Sequence, residues 1–276
     1  MRLLKITFSI LLFSLLTLLT QVGGLVYLFS MLTHHWTDKW TGNKLLKATY
    51  RFASFLMLYC LTTFFMVPLI AKPLGRVPLP LRMTHHLRPL NALTCLLNRN
   101  YVSAPLRQTA FEVAERMNDK FPGTVTNYLD ANFPFLDQFP LFPHLSHSDG
   151  KKLDLSFFYR DAQTGEPTDE CPSFIGYGIC EVPRPGEKKT AELCAGKGYW
   201  QYSFLMKVIP QARKQNFTFD IDRTKALVNL FAAQPSIGKI FIEPHLKARL
   251  QLSSDKIRFH GCQAVRHDDH LHVQLR

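Results

Sequence analysis

No pair among the six cysteines has the C-x-x-C spacing of a cysteine-built metal knuckle, and that reading yields to disulfides. Basic residues outnumber acidic ones 33 to 21, yet no stripe of Lys and Arg interleaved with aromatics is present, which argues against nucleic acid as a partner. About ten of the basic residues instead flank two apolar runs, where they suit anionic lipid headgroups. Internal repeats and low-complexity tracts are missing too, so neither a solenoid nor a biased tail organises the chain. Charge itself is absent from Ile6 to Leu32 and again from Phe52 to Ala71.

At about 1.5 Å per residue, either run reaches across a hydrocarbon layer of roughly 30 Å as a helix. A cleaved signal peptide fits the first run poorly, because the run is about twice the length of an h-region of roughly 7–15 residues and no small-x-small site follows it. The expectation is a transmembrane helix hairpin over residues 1–71, which puts the N-terminus and the rest of the chain on one side of the membrane. His34 and His35, beside Trp36, read as interfacial residues, as do His85 and His86 further on. The prolines of "KPLGRVPLPLRMTHHLRPL" rule out a long helix, and residues 72–91 are predicted to be a stiff, basic linker near the headgroups.

From 92 to 276 the pattern is that of one folded unit. "SAPLRQTAFEVAERMNDKF" spaces Leu106, Ala110, Val113, Ala114 and Met117 by threes and fours, a helix starting at Ser103 with Pro105 in its first turn. "VTNYLDA", "LDLSFFY", "FTFDI" and "KIFIE" read as strands; "RTKALVNLFAAQ" and "PHLKARLQL" read as helices. Short strands mixed with helices and lacking regular βαβ alternation make an α+β domain. Cys60 is a packing residue of the second apolar run. Cys171, Cys180 and Cys194 lie in a Gly/Pro-rich stretch with little core of its own, where disulfides of an oxidising compartment are expected. With Cys95 and Cys262 they number five, so one is left free.

Two segments carry candidate chemistry. In "HLSHSDGKKLDLSFFY", His147 and Asp154 are seven apart, so they share a site only if the chain turns between them, and "SDG" supplies the turn. At the C-terminal end, "HDDHLHVQL" alternates so that His270 and His272 share one face of a strand while Leu271 and Val273 pack behind it. Two histidines and a carboxylate, with His267 close by, suit a zinc site that keeps one position open for water. His144 and His260 are read as surface histidines, and strand parity points Asp269 away from His270.

"SHSDGKKLD" resembles the S-H-x-x-G-x-x-x-D pattern, and "HDDHLHV" the H-x-x-H-x-H pattern, of the penicillin-insensitive murein endopeptidases. That family falls within the wider group of lysostaphin, the D-Ala-D-Ala metallopeptidases and the hedgehog domain. "LVNLFAAQPSIGKIFIEPHLKARL" is similar to the helix–strand–helix that precedes the H-x-H strand in this family, and the likeness covers about 120–276, with residues 160–215 unmatched. The resemblance implies a small antiparallel sheet with flanking helices. It implies His147, Asp154 and His272 as Zn2+ ligands and His270 and His267 as the catalytic histidines. It further implies hydrolysis of peptidoglycan cross-link peptides at a bacterial inner membrane, with the domain in the periplasm. The alternatives it leaves are a D,D-carboxypeptidase and a non-catalytic, membrane-tethered wall-binding protein.

Overall fold

The computed structural model describes residues 2–276. Its N-terminal part is three antiparallel helices rather than the two of the expected hairpin: α1 (Arg2–Thr20), α2 (Gly23–Trp40) and α3 (Lys44–Leu61). α3 continues through a π-helical turn, Thr62–Met66, into α4 (Val67–Ala71). The first apolar run is broken at Gln21, whose φ is +67°. Two glycines then let α2 fold back on α1. A Cβ at Gly24 would lie 2.0 Å from Thr17 Oγ1 and 2.6 Å from the Phe13 carbonyl oxygen, so only glycine permits the approach. Tyr27 reaches Ser9, Thr33 reaches Ser54 at 2.5 Å, and Arg51 forks onto Asp38, so successive helices run in opposite directions. Among the described residues, Leu3–Thr20 and Lys44–Leu74 are the two stretches long and apolar enough to cross a membrane.

Three antiparallel helices put the start of α1 and the end of α3 at opposite ends of the unit. Lys5 lies at the same end of the unit as the α2–α3 connection with Lys39 and Lys44, and the folded domain lies at the other end. There the Asn98 amide is 3.4 Å from the Thr20 carbonyl, Tyr59 donates to the Leu96 carbonyl at 2.6 Å, and the Phe135 N–H donates to Gln21 Oε1 at 2.8 Å. Val22, Val26, Tyr59, Val67 and Ala71 pack with Tyr101 in a small apolar cluster that joins helices to domain.

Residues 72–91 are not a linker. They form β1 (Val77–Pro78) and β2 (Leu87–Pro89), and they bury Leu79 and Leu87 in the main core. Prolines exclude a helix there but not edge strands, where a missing N–H costs nothing. The domain continues with α5 (Leu93–Leu96), β3 (Tyr101–Val102), α6 (Ala104–Lys120), β4 (Thr126–Tyr128), β5 (Lys152–Ser156), β6 (Tyr159–Asp161) and β7 (Pro167–Thr168). It ends with α7 (Thr190–Gly196), α8 (Phe204–Val208), β8 (Phe217–Phe219), α9 (Ile221–Ala233), β9 (Ile237–Phe241), α10 (Pro244–Arg249), β10 (Ile257–Arg258) and β11 (His270–Leu275). α6 starts after Ser103 as expected, and all five of its periodic apolar residues are buried.

The class is α+β, but the sheet is neither small nor purely antiparallel. Six strands run in the order β10–β9–β11–β5–β4–β2, with both outer pairings parallel and the three inner ones antiparallel. The added edges come from segments with no clean alternation: β2 from the proline-rich stretch and β10 from a two-residue strand after α10. β5 and β11 lie at the centre, and Leu153, Leu155, Leu271 and Val273 fill the core on one face.

One disulfide, Cys194–Cys262, closes a separation of 68 residues and ties α7 to the loop ahead of β11. Cys95, Cys171 and Cys180 are free and buried, so three of the five domain cysteines are unbridged where one was expected. The chain-entropy cost of a loop of that length predicts that Cys262→Ser lowers stability by about 4 kcal/mol. Thermal unfolding in detergent checks this, and an unchanged midpoint would show that the bridge constrains little.

Candidate metal centre

The register of the two central strands builds the site. His272 stands directly opposite Asp154 on the antiparallel ladder, so both side chains leave the same face of the sheet, and His270 stands two residues away opposite Ser156. His147 arrives from the loop before β5. Gly150 turns that loop with φ +75°, where a Cβ would strike the Arg76 guanidinium at 2.1 Å. The three donor atoms converge: His272 Nδ1 is 2.8 Å from Asp154 Oδ1, His147 Nε2 is 3.2 Å from the same oxygen, and the two ring nitrogens are 3.0 Å apart. All three residues are buried.

The surrounding hydrogen bonds orient these donors. His147 Nδ1 donates to the Ala131 carbonyl at 2.5 Å, which leaves the Nε2 lone pair facing the cluster. Asp154 Oδ2 accepts from His144 Nδ1 at 2.5 Å and from the Tyr177 hydroxyl at 2.9 Å, while that hydroxyl accepts the Asp130 N–H at 3.1 Å. Burial opposes the charged form of Asp154, but His147, His270 and His144 outweigh it and hold the carboxyl well below its usual range. Burial pushes His272 down to about 3 and His267 well below the ordinary imidazole value, so both are neutral. His270 goes the other way. Burial would lower it, but Asp154 and Asp269 hold it at about 8.

A metal ion fits this set on two observations. A tetrahedral zinc with bonds of roughly 2.0–2.1 Å has donor–donor edges of roughly 3.3 Å, within a few tenths of an ångström of the spacing of the three atoms. The chemistry of the donors fits as well: two imidazole nitrogens and a carboxylate oxygen, buried together, are ligand types that zinc takes. Ligand atoms of His144, His147 and Asp154 lie within 4.8 Å of one another, an overlapping group that is close enough to hold an ion.

No protein-family model matches the chain, and no curated protein is similar to it. What the site can do therefore rests on its geometry and on the motifs it brings together.

The structure places several predicted residues differently. His144 is buried against Asp154 and is not a surface histidine; its i−3 spacing from His147 in "HLSH" was the available signal. Asp269 does not point away from His270. It lies before the strand begins, free of strand parity, and its Oδ1 is 2.5 Å from His270 Nδ1 while its Oδ2 accepts the Gly178 N–H at 2.6 Å. His267 packs among His270, His272 and Phe241 in tilted and edge-on contacts, and its backbone N–H donates to Glu243 Oε1 at 3.3 Å. Glu243 in turn accepts from Tyr202, and burial together with Asp268 raises it to about 7.

Residues 160–215, unmatched by the resemblance, supply Tyr177, Gly178 and one wall of a groove of about 830 Å³ over the cluster. That wall carries Trp200, Gln201, Phe204 and Leu205; Phe142, Leu145, His147, His267 and His272 line the groove with them. No Lys, Arg, Asp or Glu occurs among the described residues that line it.

Proposed function

We propose that the chain is a membrane-anchored zinc metallopeptidase of the murein endopeptidase type, hydrolysing D-amino-acid amides in peptidoglycan cross-links. The observation that carries this reading is the convergence of His147 Nε2, Asp154 Oδ1 and His272 Nδ1 beneath an open groove. These three are the proposed ligands; they are more tightly grouped than the set containing His144, whose Nδ1 is already spent on the outer oxygen of Asp154. When bound, zinc supplies Lewis acidity and lowers the pKa of water in contact with it toward roughly 7.

The chain's own residues supply the rest. His270, fixed by Asp269 through Nδ1, presents an unpartnered Nε2 on the side of Asp154, 3.7 Å from Oδ2, and there it takes or returns a proton. His267, neutral at the groove wall, orients the scissile amide. An internal amide suits the groove better than a terminal one, because a free carboxylate would find no cation in the lining. This favours an endopeptidase over a carboxypeptidase, and the complete donor set favours an enzyme over a binding module. The decisive assay is digestion of purified cross-linked peptidoglycan.

The domain is read as periplasmic. Lys5, Lys39, Lys44 and Lys47 lie at one end of the helical unit and suit the positive-inside tendency, but Lys72, Arg76, Arg82 and Arg88 make the domain end equally basic, so charge does not decide the side. The Cys194–Cys262 bridge, which suits an oxidising compartment, supports the periplasm. Lys188→Cys, on an exposed domain loop, should react with a membrane-impermeant thiol reagent in intact spheroplasts. Gly42→Cys, where a Cβ meets nothing within 4 Å, should react only after permeabilisation. The opposite pattern would put the domain in the cytosol and remove the proposed substrate.

A further inference from the structure

The groove's rim is apolar and exposed. Phe142, Leu145, Trp200 and Phe204 are between 46% and 69% exposed, although each belongs to the folded domain and not to the membrane helices. Exposed clusters of this size mark a surface that meets something other than water. Scattered exposed leucines would carry no such meaning; these flank one opening.

The rim is also joined to the end of the helical unit. Phe135, seven residues ahead of Phe142 in the chain, donates its N–H to Gln21 at the turn between α1 and α2. Asn98 contacts the last carbonyl of α1, and its chain neighbour Arg99 donates to the Phe142 carbonyl at 2.9 Å. Arg99 is itself anchored on Asp130 at 2.7 Å. A run of two residues thus spans from the end of a candidate membrane helix to the lip of the groove. The lip is consequently set at the level where α1 leaves the hydrocarbon. Trp, Phe and Leu suit that level, since an indole places its ring among acyl chains and its N–H among headgroups.

We propose that this rim is a lipid-contact surface: Phe142, Leu145, Trp200 and Phe204 rest in the headgroup layer of the bilayer that holds α1 and α3, and the groove opens onto that layer. The proposal rests on the membrane-anchored reading and not on the hydrolase chemistry. Its consequence is that the site meets only chains lying against the membrane surface, and bulk polymer further out stays beyond its reach.

The test uses the full chain in phospholipid nanodiscs, with Trp36→Phe and Trp40→Phe so that Trp200 is the sole indole. Lipids brominated near the headgroup should quench Trp200 by about half relative to unbrominated lipids, as for an indole at the interface. A polarity-sensitive dye on Leu145→Cys should shift to the blue in the same discs. A chain that enters the discs but shows neither quenching nor shift would overturn the lipid-contact surface alone. A chain that stays outside the discs would overturn the membrane reading and this proposal with it. Metal content and wall digestion play no part in either readout, so the hydrolase reading stands or falls separately.

Discussion

Asp154→Asn should purify with less than about a tenth of the metal of the wild-type chain, which is expected to carry about one zinc per molecule. Asp154 is the residue on which the cluster converges: one oxygen faces His147 and His272, and the other accepts from His144 and Tyr177. Asparagine preserves the shape and one acceptor oxygen, so the fold keeps most of its hydrogen bonds while the anionic ligand is lost. Asp154→Ala should lose metal equally and also stability, because it strands two buried donors at about 1–3 kcal/mol each. His272→Ala should likewise be metal-free. Elemental analysis of the full chain in detergent measures all three. Wild-type metal content in the asparagine variant would remove Asp154 from the ligand set.

His270→Ala should keep its metal and lose activity by about 10²–10⁴-fold, the range expected for removal of a positioned acid–base group. His270 touches none of the three proposed donor atoms at hydrogen-bonding distance; its Nε2 is 3.7 Å from the outer oxygen of Asp154. Asp269→Asn should keep metal too and lose about tenfold, since the amide no longer fixes the Nδ1–H tautomer as a carboxylate does. Rates on cross-linked muropeptides, together with metal content of the same samples, check both. Loss of metal with His270→Ala would make His270 a ligand.

Periodicity made the domain's interior legible. The apolar positions of α6 and the alternation of β11 each encode which side is buried, and both elements formed where the pattern required. That His147 and Asp154 share a site with the His270 and His272 pair was legible because a strand face and a glycine turn constrain side-chain direction; the choice of His272 within that pair came from the resemblance. Other features left no periodic trace. The break at Gln21 is decided by backbone approach at Gly23 and Gly24 inside an otherwise uniform apolar run. β2 has three residues, too few to alternate. Asp269 lies just ahead of its strand, where parity no longer holds. The groove wall at Trp200 and Phe204 is held by a disulfide pairing and long-range packing, which spacing alone does not specify.

Whether a metal held by His147, Asp154 and His272 cuts wall cross-links is decided by incubating purified cross-linked peptidoglycan with the full chain as isolated, after chelation, after zinc is restored, and as His270→Ala, with mass analysis of the products. Dimeric muropeptides should become monomers with the isolated and zinc-restored protein and stay intact with the other two. Dimers left intact by a protein shown to carry zinc would rule the proposed hydrolase out.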